Sequence, residues 1–281
     1  MHTFTDPQEF LNAARAWLET EEAKNSLMLG NTLRMVAQPG YFEETPYYAV
    51  VGEPGEVALA AMMTPPFGLV LATARRQPED KELRELIDDL RGRGLTPPDV
   101  IGPNPHGLRF AELWHGQTGL QPEIRQRLYE LRAVTPDTLT AAQGSFRMAR
   151  EDEIELLTGW AMAFDVEAFG RATRPPESFR SLIEKRWGDI AVWEDGRAAV
   201  SMAMRSRPTR HGITVNLVYT PPDGRGRGYA TACVARLSQS LLDEGFQFCT
   251  LFTDMDNPTS NSIYMKIGYT PVCDFDKYTL G

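Results

Sequence analysis

The chain is poor in cysteine: three in 281 residues, Cys233, Cys249 and Cys273, with no CxxC pair and no adjoining histidine. An odd number at wide spacing excludes a disulfide framework and a zinc finger, and the three read as buried thiols in a reducing compartment. No metal is expected. Basic charge is short as well, with 29 Lys+Arg against 38 Asp+Glu and a net charge of −9. Such a chain lacks the general attraction that draws proteins to phosphate backbones, so no nucleic-acid partner is expected. The 23 glycines and 20 prolines follow no fixed period, which excludes collagen-like and low-complexity architectures.

Long apolar runs are missing too. The nearest, residues 57–74, is interrupted by Thr64-Pro65-Pro66 and closed by Glu56 and Arg75, so it reads as two strands around a turn rather than a membrane span. The first ten residues, MHTFTDPQEF, carry acid where a secretory leader carries base. A cytoplasmic protein without membrane contact is the expectation.

What is present has order. From Ser145 onward the pattern predicts a short strand over 146–150, a helix through Leu156, Leu157, Trp160 and Phe164, and a second helix after Pro175-Pro176. Three strands follow over 190–193, 198–205 and 213–219. After the break PPDGRGRG come a helix over 229–242, a strand over 248–252, a helix from Asn257-Pro258 to Gly268, and two terminal strands over 269–273 and 275–280. The first half repeats this order. After a helical start over 7–22 and 23–36, residues 57–63 and 68–73 mirror the central hairpin, 78–91 the long helix and 99–103 the next strand. Asn104-Pro105 echoes Asn257-Pro258 at a separation of 153 residues. The division is placed at 1–138 and 145–281, with a linker near 135–144 that opens Thr-Pro-Asp.

The informative motif is Arg225-Gly226-Arg227-Gly228-Tyr229-Ala230, set between a predicted strand and a predicted helix. Bare amides and the helix dipole converge on an anion at such a junction, and glycine lets a phosphate approach the main chain. Arg225 and Arg227 add charged donors. No GK[ST] follows and the GxGxxG spacing is absent, which excludes a Walker loop and a dinucleotide fingerprint.

This run, together with Asn257-Pro258-Thr259-Ser260-Asn261-Ser262-Ile263-Tyr264-Met265-Lys266-Ile267-Gly268-Tyr269, resembles the GNAT superfamily of acyl-CoA-dependent N-acyltransferases. The resemblance covers most of residues 146–280. It implies an α/β (α+β) fold, a mixed and mostly antiparallel sheet flanked by helices, in which two neighbouring strands splay to admit the pantetheine arm. It further implies acetyl-CoA as co-substrate, transfer to a primary amine of a small molecule or protein, and Tyr264 as the acid that protonates the departing thiolate. Val218, Tyr219 and Thr220 match the edge that pairs with the cofactor arm. Arg225, Gly226, Arg227, Gly228, Tyr229, Ala230 and Thr231 match the diphosphate loop, and Asn257 and Asn261 fall in the second cofactor-contacting region. Candidates for a base are Asp165, Glu167, Glu194 and Asp254, while His211 reads as a turn residue. Another acyl or aminoacyl donor, or a non-catalytic acetyl-CoA sensor, are the alternatives. The oligomeric state, monomer or homodimer, is not set by the sequence.

The first half departs from the pattern. Where the diphosphate loop should fall stands Ala74-Arg75-Arg76-Gln77-Pro78-Glu79, without glycine, and the counterpart of Tyr264 is Ala111. It reads as a degenerate domain of the same kind, or an accessory domain, that has lost the donor site.

Overall fold

A computed structural model describes residues 1–42, 44–53 and 56–281. The chain divides into two compact units. The first comprises Met1–Leu128, Arg207–Arg210 and Pro271–Gly281, and the second Tyr129–Ser206 and His211–Thr270. These units do not coincide with a cut between 138 and 145, because the chain returns to the first unit for its last eleven residues and for one turn.

The first unit contains β1 (His2–Phe4), α1 (Pro7–Leu18), α2 (Ser26–Ala37), β2 (Tyr47–Glu53), β3 (Glu56–Met63), β4 (Leu69–Thr73), α3 (Asp80–Gly92), β5 (Asp99–Pro103) and α4 (His106–His115). Strand β6 (Gln126–Leu131) starts in it and ends in the second unit. There follow β7 (Ser145–Met148), α5 (Ile154–Phe169), α6 (Pro176–Arg186), β8 (Ile190–Asp195), β9 (Ala198–Ser206), β10 (Gly212–Tyr219), α7 (Tyr229–Asp243), β11 (Phe248–Asp254), α8 (Pro258–Ile267) and β12 (Thr270–Thr279). Both halves therefore run strand, two helices, three strands, helix, strand, helix, strand.

The sheet of the first unit is ordered β1-β2-β3-β4-β5-β12 and that of the second β7-β8-β9-β10-β11-β6. All strand pairs for which a register is defined are antiparallel except β4 with β5 and β10 with β11. The place beside β5 is taken by β12 and that beside β11 by β6, in each case the last strand of the other half of the chain. Thus β12 runs antiparallel to β5, from Phe275 opposite Pro103 to Thr279 opposite Asp99. The two terminal strands expected from sequence are one continuous strand. Asp274, where a break was placed, is held inside it by the Arg127 guanidinium, which donates to its carboxylate at 2.6 Å, and by Asn104 N–H, which donates to its carbonyl at 2.9 Å.

Local signals fix the helices. Asp6 caps α1 by accepting from Glu9 N–H at 2.8 Å, with Pro7 in the first turn, and left-handed Gly170, at φ 70°, ends α5. Strand alternation then sends side chains to two cores in each unit. In the second unit Ala191, Ile213, Val215 and Leu251 face Val234, Leu237 and Leu241 of α7, while Ile190, Val192, Met202 and Met204 face Leu157 and Ala161 of α5 and Phe179 and Ile183 of α6. In the first unit Leu83, Leu86 and Leu90 of α3 cover one face of the sheet, and Phe10, Leu18, Met28 and Leu29 of α1 and α2 cover the other.

Cys233 and Cys249 are buried and Cys273 is half-buried; burial pushes the first two thiols up to about 12, where they are inert. Among the described residues no helix is long and apolar enough to cross a membrane, and no group of His, Cys, Asp or Glu is arranged to hold a metal ion.

Phe10 is fully buried and stacks on Tyr48 at a centroid distance of 4.4 Å. Phe10→Ala is expected to lower the unfolding free energy of the first unit by about 3–5 kcal/mol, read from the denaturant midpoint. A loss under about 1 kcal/mol would show that this core is not packed as described.

Candidate donor site at the strand split and the loop after β10

Strands β10 and β11 part company early. Their parallel register covers Gly212 with Phe248, Ile213 with Cys249 and Thr214 with Thr250, although the two strands run on to Tyr219 and Asp254. The cause lies in β10. Its register against β9 shifts between Asn216 and Tyr219, and Leu217 sits in the left-handed region at φ 50°. Such a bulge bends the strand away from its neighbour and leaves backbone groups unpaired. Residues 215–219 therefore offer an edge to an extended ligand. In the first unit β4 and β5 also pair only briefly, Leu69 with Val100 and Val70 with Ile101, but β4 carries no bulge and keeps an unbroken register with β3 from Leu69 opposite Met63 to Thr73 opposite Leu59.

The loop after β10 completes the opening. A single turn at Pro222–Gly224 leads to Gly226 at φ 77° and Gly228 at φ 81°, and Gly228 caps α7. No side chain caps this helix end, and its first turn, Tyr229, Ala230 and Thr231, holds no acid. Its amides are the bare donors an anion requires. The equivalent helix of the first unit, α3, is sealed by its own chain. The Glu82 carboxylate accepts from Glu79 N–H at 2.7 Å and from Arg76 at 2.5 Å. A Cβ at Gly226 would meet open space, whereas one at Gly228 would lie 2.5 Å from the Ala141 carbonyl oxygen.

The side chains divide into those that face this opening and those that brace it. Val218 and Thr220 are half-buried on β10 and just beyond it, while Tyr219 is buried, with its ring 6.2 Å from that of Trp160. Thr220 Oγ1 donates to Ser201 Oγ at 2.8 Å, which donates to the Tyr219 carbonyl at 3.2 Å. Arg225 is exposed but engaged. Its Nε donates to the Thr220 carbonyl at 2.9 Å, and its guanidinium grips both oxygens of Glu167 at 2.9 and 2.7 Å. Arg227 is exposed. Tyr229 presents only its backbone, since its buried ring carries a hydroxyl that donates to Asp195 at 2.5 Å. Ala230 and Thr231 are half-buried.

Around α8 the roles are structural for two expected contacts. Asn257 accepts from Ser260 N–H at 3.0 Å as the helix cap. Asn261 donates to the carbonyls of Asp254, at 2.9 Å, and Asn257, at 2.7 Å, and accepts from Tyr129 Oη at 3.1 Å, so its amide ties α8 to the end of β11. Tyr264 is buried against Tyr269, ring centroids 6.0 Å apart. Burial alone raises its hydroxyl well above the ordinary tyrosine value, and no hydrogen bond contributes.

The four carboxylates weighed as a base are all occupied. Asp165 accepts from Thr173 N–H and Oγ1, both at 2.6 Å; Glu167 holds Arg225; Asp254 accepts from Asp256 N–H at 2.8 Å. Glu194 is pinned by Arg147, whose hydrogen bond and charge hold its carboxyl below the usual range, a setting opposed to proton abstraction. His211 lies in the turn between β9 and β10, its carbonyl accepting from Gln247 N–H at 2.7 Å. Sequence reasoning missed Ser201 and Tyr129, whose bracing roles depend on contacts 18 and 132 residues away.

Residues 197–278 match the FR47-like protein family. No curated protein matches the chain in sequence. Among solved structures, a Drosophila protein superposes with a TM-score of 0.64 at 11% identity, covering 100% of this chain and 99% of that one. A GCN5-related N-acetyltransferase from Sphaerobacter thermophilus gives 0.58 at 16% identity, covering 88% and 85%, and another from Kribbella flavida gives 0.55 at 14%, covering 82% and 87%. The class is thus set by a mixed sheet with a bulged strand beside its parallel neighbour and a glycine loop at the end of that strand. More particularly, the chain has the GNAT fold, and its likeness to the FR47-like family is confined to residues 197–278.

Two outcomes test this geometry. Gly228→Ala forces a side chain into both a left-handed backbone and the Ala141 carbonyl, and is expected to weaken coenzyme A binding more than about tenfold by calorimetry; unchanged affinity would remove the loop from the site. Glu167→Gln releases the Arg225 guanidinium and removes a nearby negative charge, so coenzyme A is expected to bind roughly two- to fivefold more tightly. Weaker binding would mean that Glu167 holds Arg225 in its ligand-binding pose.

Proposed function

We propose that the second unit is an N-acetyltransferase that moves an acetyl group from acetyl-CoA to a primary amine by direct attack, and that the first unit is a degenerate copy without a donor site. The observation that carries the reading is the coincidence of a split strand edge with an uncapped, acid-free helix start. That combination fits a long ligand with an amide-bearing arm and a diphosphate; in the first unit β4 has no bulge and Glu82 occupies the start of α3.

In this reading the backbone of Val218, Tyr219 and Thr220 pairs with the pantetheine arm, and the amides from Gly226 to Thr231 receive the diphosphate. Arg227 adds charge at the rim, and Arg225 joins it by exchanging Glu167 for phosphate. The neutral amine nitrogen bonds to the acyl carbon, the carbon–sulfur bond breaks, the proton that the nitrogen sheds passes to water, the thiolate takes a proton from the Tyr264 hydroxyl, and water returns one to the tyrosinate. Burial suits Tyr264 to this step, because an unpartnered hydroxyl that stays protonated has a donor to give and no competitor for it. The occupied carboxylates favour water over a dedicated base. The acceptor is a small molecule or a protein amine, without nucleic acid or membrane.

Tyr264→Phe is expected to lower kcat by about 10- to 100-fold with acetyl-CoA affinity kept within about twofold. Equal, measurable rates would remove Tyr264 from the reaction, and no turnover in either form would point to a binding protein that reports acetyl-CoA. Since the Tyr264 pKa is raised, the hydroxyl remains protonated through the accessible range. The wild-type rate should therefore climb as the amine deprotonates and show no alkaline fall between about pH 8 and about pH 10. An alkaline limb that Tyr264→Phe abolishes would contradict the assignment of a buried, unshared hydroxyl.

A further inference from the structure

Asn216 is a polar residue in an apolar stretch, between Val215 and Leu217, which belong to the two opposite cores of the second unit. It lies two residues past Thr214, the last residue of β10 that pairs with β11; the register with β9 holds through both, Thr214 opposite Ser206 and Asn216 opposite Met204, so the two share a face of the sheet, and alternation breaks only after Asn216. Thr214 has a partner across the joined strands: its Oγ1 meets Thr250 Oγ1 at 3.0 Å. Asn216 stands on the split part, one step beyond that closed apex. Its Oδ1 is sealed from solvent and has no hydrogen-bond partner. An unsatisfied buried polar atom costs about 1–3 kcal/mol and calls for a ligand or a functional reason. The strained Leu217, φ 50°, adjoins it, which puts backbone strain and the unpaired oxygen at one point. Helix α5 packs on β10, and its own Thr158 Oγ1 is likewise buried without a partner.

We propose that Asn216, half-buried and with no partner to hold its oxygen in place, positions the attacking amine: a turn of its side-chain amide brings the carbonyl out to accept one N–H, so that the nitrogen lone pair is directed at the acyl carbon held in the split. The proposal rests on the acetyltransferase reading. A neutral amide suits the task better than a carboxylate would. It accepts from a free amine without stabilising the ammonium form, which has no lone pair to attack with.

The test uses the full chain, acetyl-CoA and a panel of primary amines: spermidine, glucosamine, an arylamine and a peptide with a free lysine, followed by thiol release. With the amine consumed fastest, Asn216→Ala is expected to lower kcat/KM for the amine about 10- to 100-fold, chiefly through KM, while acetyl-CoA affinity by calorimetry stays within about twofold. Asn216→Asp, nearly the same shape, is expected to keep amine binding but move the rate profile to higher pH, because its charge holds the amine protonated. That shift is one a purely structural role does not produce, and it decides the matter if the alanine variant does not fold. Parallel loss of acetyl-CoA affinity would assign Asn216 to the pantetheine arm and overturn the proposal, as would unchanged kinetics in both variants. If coenzyme A binds and no amine is consumed, both the proposal and the catalytic reading fail; if coenzyme A does not bind, the donor site itself fails.

Discussion

The site depends on one irregularity in one strand. Strand β10 begins as an ordinary member of a sheet, paired on both sides, and at Leu217 its backbone turns left-handed and loses register with β9. A regular β10 would continue its ladder to Tyr219 and close the space beside β11. The bulge gives up those backbone bonds and leaves an edge, and it does so within ten residues of the glycine loop. Strain at a single non-glycine residue is thus placed where a ligand has the most hydrogen bonds to return.

The two halves supply an internal control. They share element order, including the briefly paired parallel strands and the helix between them, yet only β10 is bulged. In the first unit β4 keeps its register with β3, and Glu82, anchored by Arg76, satisfies the start of α3. In the second, a glycine caps α7 and nothing negative stands in its first turn. A helix end that has already acquired a carboxylate has little left to offer a phosphate. The same backbone plan thus leaves one helix start bare and the other satisfied, according to a handful of side chains.

Much of this was legible in the sequence because it is written locally. Alternation located the strands from 190 to 219, the caps at Asn257 and Gly268 bounded α8, and paired glycines after a strand marked the loop. The repeat showed through Asn104-Pro105 and Asn257-Pro258. What failed to show was set by partners distant along the chain. That β12 is one strand belonging with β5 depends on contacts to Asn104 and Arg127, each well over a hundred residues away. Asn261 looks like a free polar residue in isolation and is a strut once Tyr129 and Asp254 are in place. Arg225 has the chemistry of a phosphate ligand, but only the fold reveals that Glu167 already holds it. The left-handed Leu217 carried no glycine or asparagine to announce it.

The central claim is that backbone amides at the start of α7 receive a diphosphate. A crystal structure of the full chain with coenzyme A tests it most directly. The account predicts diphosphate oxygens within hydrogen-bond reach of the N–H groups from Gly226 to Ala230 and the pantetheine arm beside residues 218–220. Coenzyme A seated elsewhere, with that helix start still bare, would contradict it.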